Sequence, residues 1–260
     1  MSLFDYGTEW VEKKLIYNRR CAKFLPVSNL AKEKFLQVYY QVDHDKVEII
    51  HPGIDLERFT RFDRQLSRGE MRSKFGFNTR DIVILFVAMN FDIKGLDRLI
   101  PIIASARSQC QTSRFKLLVV GGDKEKKYRN LAESLGIKNQ IVFAGIQKED
   151  LEKIYLASDI LCVLSKFDTF GIVVLEAFAA SLPVIISTNM GAKDLVKDGV
   201  NGFVIGDTQN TDRIVEKLSV LIDNAVRIRM GKEAYKTAVD HTWEAAAKRV
   251  TDIYEKLLDR

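Results

Sequence analysis

The sequence predicts an α/β protein built on a Rossmann-like, doubly wound parallel sheet, and three observations predict it. Strand-like runs recur along the chain. Several of them are continuously apolar, as strands buried on both faces must be, with Ile82-Val83-Ile84-Leu85-Phe86-Val87 the clearest case. Segments of helical period lie between them. Strands alternating with helices in this way make βαβ units, whose right-handed crossovers wind helices onto both faces of one sheet.

Strands are expected at 23–27, 47–51, 82–88, 116–120, 140–143, 160–164, 184–187 and 203–205. A charged, helix-like stretch covers 9–14. Ser28 stands where its hydroxyl can cap a helix over 29–40. Leu96, Leu99, Ile100 and Ile103 form one helical stripe, Leu131 and Leu135 help form another, and Leu151, Ile154 and Tyr155 a third. Helices are expected over 170–180 and 242–258, the latter with Trp243, Ala247, Val250, Ile253, Tyr254 and Leu257 on one side. Pro52-Gly53 breaks regular structure, and a polar, basic segment at 58–68 follows it. The single strand–helix unit before this break cannot bury a core alone. Residues 1–50 therefore read as the tail of a preceding domain, 51–241 as the main domain and 242–260 as a closing helix.

Composition excludes several classes. With 47% hydrophobic and 29% charged residues, the 260-residue chain reads as soluble and globular. The longest apolar run, 171–187, contains Glu176 and Pro183 and cannot span a membrane. No signal peptide is expected, and any membrane contact would be peripheral, at the inner face of the cell membrane. The net charge of +5 suits a phosphate-bearing ligand or an anionic surface equally, and a generic basic surface as well. Cys21, Cys110 and Cys162 are scattered without C-x-x-C spacing, which points to a reducing, cytoplasmic setting. His44, His51 and His241 show no ligand pattern, so neither a metal nor another cofactor is expected. No strand is followed by G-x-G-x-x-G with an acidic residue beyond it, which disfavours an NAD-dependent oxidoreductase. Nucleic acid is disfavoured too, because no basic stripe is interleaved with aromatics.

In a doubly wound sheet, ligands bind beyond the carboxyl ends of the strands. In the loop 89–95, Lys94 lies near a helix start, where it could hold a diphosphate as a point charge; a solvated surface lysine is an equal alternative. Gly121-Gly122 and Ala144-Gly145 allow tight turns and are weak signals. The richest loop reads Ser165-Lys166-Phe167-Asp168-Thr169-Phe170-Gly171-Ile172-Val173-Val174-Leu175-Glu176. Asp168 or Thr169 would cap the following helix, and the amides of Phe170, Gly171, Ile172 and Val173 would face a phosphate. For Asp168 alone, capping is the better reading. Glu176 lies among Val174-Leu175 and Ala177-Phe178, where a carboxylate is costly unless paired or turned to a polar cleft. A ligand contact is the preferred reading there, and pairing with a lysine the alternative.

Taken together and in this order, the loops resemble the retaining family 4 (group 1) glycosyltransferases. The likeness is carried by His51-Pro52-Gly53-Ile54-Asp55 with Phe59, Lys94-Gly95-Leu96-Asp97, Gly121-Gly122, Val142-Phe143-Ala144-Gly145, Asp168-x7-Glu176, Leu182-Pro183-Val184 and Asp198-Gly199-Val200-Asn201-Gly202. Within that family, Lys94 to Arg98 and Val120 to Lys124 look most like enzymes that add glucose to heptose of the lipopolysaccharide core. The resemblance implies the C-terminal, donor-binding half of a GT-B fold. The acceptor, a saccharide or a lipid-linked one, would sit on an N-terminal domain that is absent here, and residues 242–260 would cross back to it. The resemblance also implies a nucleotide-sugar donor such as UDP-glucose and no metal. Lys94 would neutralise the diphosphate, Asp168 contact the donor sugar and Glu176 bind the ribose hydroxyls. Asn90, Gly145, Thr169, Phe170, Gly171, Ile172 and Val173 complete the implied donor site. Two positions depart from the family pattern: the usual E-x7-E reads Asp168-x7-Glu176, and the usual Arg-Lys pair reads Ile93-Lys94. Losing one charged hydrogen bond to the leaving group costs about 1–3 kcal/mol. A catalytically inactive sugar-nucleotide-binding or regulatory domain of the same fold is accordingly the alternative.

Overall fold

The computed structural model describes residues 13–14, 16–17, 21–110 and 114–259, so the helix-like stretch expected at 9–14 falls almost wholly outside the described residues. β1 (Ile82–Val87), β2 (Phe115–Val120), β3 (Ile141–Gly145), β4 (Ile160–Val163), β5 (Val184–Ser187) and β6 (Gly202–Ile205) form one parallel sheet. Its order is β3-β2-β1-β4-β5-β6, so the winding reverses between β1 and β4. Across that point Ile84 lies opposite Leu117 on one side and Ile160 on the other. Residues 82–86 and 160–163 are at most 1% exposed, because helices cover both faces of the sheet.

The first helical stripe packs as its spacing requires. In α4 (Leu96–Gln109), Leu96, Leu99, Ile100 and Ile103 are wholly buried. α5 (Glu125–Ser134) instead buries Tyr128 and Ala132, and Leu135 lies exposed just past its end, whereas α6 (Leu151–Ala157) buries Ile154 and Tyr155 of the third stripe. Ser28 caps α1 (Asn29–Val38) by accepting from the Ala31 amide at 3.0 Å. α1 stops two residues short of the expected end, where Tyr39 turns inward and joins Val42 and Val47 in a small cluster apart from the main core.

Three expectations need correction. Residues 23–27 and 47–51 do not form strands; they meet in a single parallel bridge between Phe24 and Val47. The Phe24 amide donates to Lys46, and Glu48 and Ile50 donate back to Phe24 and Pro26, but Pro26 has no N–H with which to carry the ladder on. The basic segment at 58–68 is not a linker. α2 (Glu57–Thr60) and α3 (Arg64–Lys74) occupy it, and α3 starts at Asp63, whose side chain accepts from the Leu66 amide at 2.8 Å. Two further helices, α8 (Thr211–Val220) and α9 (Asn224–Val239), fill a stretch for which no element is expected.

The closing helix α10 (Trp243–Leu258) is capped by Thr242 and joined to the main domain where the Ile54 amide donates to the His241 carbonyl at 2.9 Å. Of its apolar side only Ile253 is buried, while Trp243 and Tyr254 are exposed. No described helix is long and apolar enough to cross a membrane. Cys21, Cys110 and Cys162 are free thiols.

Candidate functional site

A cleft of about 440 Å³ opens beyond the carboxyl ends of β1 to β4, at the point where the winding reverses. Each strand end contributes: Val87 at the end of β1 with Ala88, Met89 and Lys94 after it, Val120 and Gly121 at β2, Ile146, Gln147 and Leu151 after β3, and Asp168, Gly171, Ile172 and Val173 after β4. The walls are largely apolar, and Lys94 is the one cation among these lining residues.

Lys94 is fixed by a loop that hydrogen-bonds to itself. Asn90 Oδ1 accepts from the Ile93 amide at 2.9 Å, and the Leu96 amide donates to the Phe91 carbonyl at 2.9 Å. Phe91 is fully buried, and its amide donates to Asp123 in the neighbouring loop at 2.8 Å. Gly95 then turns the chain into α4 with φ of 80°, and a Cβ there would lie 2.2 Å from the Leu164 carbonyl oxygen. Only glycine meets both conditions. The Lys94 ammonium is half-buried and paired with the Asp168 carboxylate, so the solvated surface lysine does not describe it.

The loop after β4 departs from the expected helix over 170–180. α7 runs Val173–Ala179 and begins after Gly171, which adopts φ of 92°. Asp168 and Thr169 are therefore not its caps. Residues 168–170 run instead beside the loop after β5: the Asp168 amide donates to Asn189, Gly191 to Asp168, and Ala192 to Phe170. Asp168 Oδ1 accepts from the Phe170 amide at 3.2 Å, which removes that amide from the expected phosphate-facing set. The amides of Gly171, Ile172 and Val173 find no acceptor among the described residues, and all three residues line the cleft.

Of the expected site residues, the structure thus gathers Lys94, Asp168, Gly171, Ile172 and Val173 around one cavity. Asn90 closes the Lys94 loop, and Gly145 accepts from the Gly121 amide at 2.9 Å. Thr169 accepts from the Ser28 hydroxyl at 2.6 Å, and Phe170 is buried with its ring 6.0 Å from that of His51. None of these four lines the cleft. Met89, Ile146, Gln147 and Leu151 do; the signal for the first three was their place just after strand ends, while Leu151 opens α6.

Glu176 lies on the first turn of α7, 8% exposed, and is not among the lining residues. Its partners are not lysines. Tyr155 on α6 donates to Oε2 at 2.7 Å, while Arg58, held by Glu152 at 2.6 Å, stands 3.8 Å from Oε1. Oε1 accepts no hydrogen bond among the described residues. Burial raises the Glu176 pKa above the ordinary glutamate value, against the smaller lowering effects of Tyr155 and Arg58. A carboxyl with a raised folded pKa favours the native state below its unfolded pKa, and that contribution is lost as pH rises through the folded value. Glu176→Gln should consequently remove a stability decrease between the ordinary glutamate range and neutral pH. Urea unfolding from pH 4 to pH 7 checks this: parallel pH profiles for the two proteins would show that Glu176 carries no such linkage.

A doubly wound domain with a cation and unpartnered amides at the switch point is the construction of a nucleotide-binding domain. The chain matches the family described as "Glycosyl transferases group 1" over residues 67–237, and it belongs to that family. It is 29% identical over 251 residues to the D-inositol 3-phosphate glycosyltransferase of Corynebacterium glutamicum (strain R), covering 94% of this chain and 59% of that protein. The protein of the same name in Rhodococcus opacus (strain B4) is 30% identical over 237 residues, covering 88% and 52%. The chain therefore spans somewhat over half the length of these relatives. Among solved structures it is similar to WaaG, a glycosyltransferase involved in lipopolysaccharide biosynthesis, with 25% identity and a TM-score of 0.80 over 96% of this chain and 67% of that one. Anabaena HepE in complex with UDP-glucose shares the fold, with 20% identity and a TM-score of 0.79 over 96% and 68%.

Proposed function

We propose that this chain is the donor-binding half of a retaining GT-B glycosyltransferase that transfers a hexose from a nucleotide sugar, with UDP-glucose the first candidate. The observation that carries the reading is the cleft itself: an apolar cavity at the strand ends with Lys94 and three unpartnered amides, from Gly171, Ile172 and Val173, on its wall. A nucleotide sugar has matching parts. Its diphosphate suits the ammonium and the amides, which would stabilise the negative charge that develops as the glycosidic C–O bond breaks. That is the work a metal ion would otherwise perform in such a transfer. Departure and attack on the same face of an oxocarbenium-like ion pair would retain the anomeric configuration. Asp168 would face the donor sugar. Oε1 of Glu176, which accepts no hydrogen bond among the described residues, would bind the ribose hydroxyls in this reading, from beyond the residues that line the cleft.

The acceptor site belongs, in this reading, to the part of the relatives' length that the chain does not span. An inositol phosphate, the chemistry in the relatives' name, and a lipopolysaccharide core saccharide, which the sequence resemblance implies, are its two candidates. Work at the inner face of the cell membrane, by peripheral contact, would suit the second. The competing reading, a binding or regulatory domain without transferase activity, is favoured by the Lys94–Asp168 pair, which occupies the cation in the free protein. Calorimetric titration with UDP, GDP and ADP and their sugar conjugates tests the donor site. One nucleotide series is expected to bind and to lose binding in Glu176→Ala; a folded protein that binds none at millimolar concentration overturns the proposal. Glycosyl transfer by the complete protein then separates the enzyme from the regulatory domain.

A further inference from the structure

A second cavity, of about 380 Å³, opens at the opposite end of the sheet, beside the residues that lead into β4 and β5. Its charged lining comes mainly from two helices: Arg64 and Arg68 from α3, and Arg227 and Lys232 from α9. Asp159 is the one carboxylate in the lining, and it is already saturated. Arg68 Nη2 lies 2.7 Å from one oxygen, and Arg72 Nη2 and the Val83 amide lie 2.5 and 2.7 Å from the other. The remaining cations form no ion pair among the described residues, although Asp159 acts at longer range on Arg64 and Arg227, and Asp223 on Arg227. Arg64 donates only to the Ala180 carbonyl, at 2.7 Å. Arg227 is 9% exposed and donates three N–H groups to the Leu221 and Ile222 carbonyls and to Asn224 Oδ1. A guanidinium has five, so two are left over. Lys232 is exposed and makes neither a hydrogen bond nor an ion pair with any described residue. Burial also pushes the Arg227 guanidinium below the ordinary arginine value.

Like charges brought together beside a polar cavity repel unless an anion completes the set. Guanidinium forks match phosphoryl oxygens in pairs, and an ammonium adds a mobile point charge. We propose that this cavity binds a phosphoryl group, at a site separate from the cleft at the carboxyl ends of the strands. Arg64, Arg227 and Lys232 supply the charge, while Arg68 and Arg72 stay bound to Asp159 and hold the wall in place. A soluble phosphorylated metabolite and an anionic lipid headgroup offer the same chemistry, and the test separates these sources.

The test titrates inorganic phosphate and then pyrophosphate into protein carrying Lys94→Ala, so that the cation of the other cleft does not contribute, with backbone amide shifts as the readout. Saturable shifts are expected at Ser158, Ser181, Asn224 and Ile228. Adding Arg64→Ala and Lys232→Ala should weaken the affinity about tenfold or more, as loss of two charged contacts requires. Both side chains are exposed, and an unchanged thermal midpoint will show that the fold persists. Vesicles of phosphatidylcholine with and without phosphatidic acid supply the second arm. Retention on the phosphatidic acid vesicles alone, lost with Arg64→Ala and Lys232→Ala, assigns the site to a headgroup, whereas phosphate binding without retention assigns it to a soluble ligand. No saturable shift together with no retention overturns the site, and so does undiminished binding in the protein with both substitutions.

Discussion

Asp159→Asn is expected to destabilise the protein by about 3–5 kcal/mol, the usual consequence of removing one partner from a buried ion pair. Asp159 stands just before β4 and is 9% exposed, and its oxygens receive Arg68, Arg72 and the amide of Val83 in β1. Arg72 is 5% exposed and donates its other N–H groups to the carbonyls of Ala157, Asn78 and Asp81. Without the carboxylate, a buried guanidinium would keep its hydrogen bonds to neutral oxygens and lose its one ion-pair partner among the described residues. The amide of asparagine would in addition turn N–H groups toward a cation. Urea unfolding measures the effect, and Arg72→Met supplies the check on cause. In that background the buried cation is already gone, so Asp159→Asn should cost markedly less. A loss under about 1 kcal/mol in the otherwise unchanged protein would show that Asp159 is not the staple between α3 and the sheet.

The same ion pairs explain what the sequence conceals. Long apolar runs and regular stripes made the sheet and α4 legible, because burial on both faces leaves no choice of residue type at Ile82 to Phe86 or at Leu96, Leu99 and Ile103. α3 carries no such stripe. Leu66 is 75% exposed, and the buried face is built from Ser67, Met71 and Arg72. Its readable feature is the spacing of Arg64, Arg68 and Arg72 at intervals of four, which places three guanidinium groups on one side of a helix. That pattern reads as a solvated basic linker until Asp159, 87 residues from Arg72, is known to face it. The site was legible to a similar degree. Lys94, Asp168 and the amides of 171–173 converge because the rule of strand ends already names their loops. The late start of α7 was not legible, since it depends on backbone bonds from 168–170 to 189–192 that no local pattern announces. Nor was the partner of Glu176: Tyr155 marks a helical stripe in the sequence, and its hydroxyl reaches the carboxylate only because α6 and α7 pack together.

Lys94→Ala should weaken binding of the preferred nucleoside diphosphate about 10- to 100-fold, the loss of one charged hydrogen bond at 1.5–3 kcal/mol. The argument rests on Lys94 being the one cation among the cleft's lining residues. The next candidate, Lys166, is committed elsewhere, 2.8 Å from Asp92 and 3.6 Å from Asp97, and does not line the cavity. Where the complete protein transfers sugar, turnover should fall further, about 10²–10³-fold, because charge on the leaving group grows toward the transition state. The Lys94–Asp168 pair adds a second, separable effect. A diphosphate entering the cleft must share the ammonium with Asp168 or displace it, and alanine at position 94 would leave that carboxylate facing the phosphates. Asp168→Asn releases Lys94 instead, so the bare diphosphate should bind several-fold more tightly than to the unchanged protein, by relief of a like-charge contact. If Asp168 also contacts the donor sugar, the nucleotide sugar will gain less than the diphosphate does. Equal gains by calorimetry would confine Asp168 to holding Lys94, and an unchanged affinity in Lys94→Ala would put the diphosphate somewhere other than this wall of the cleft.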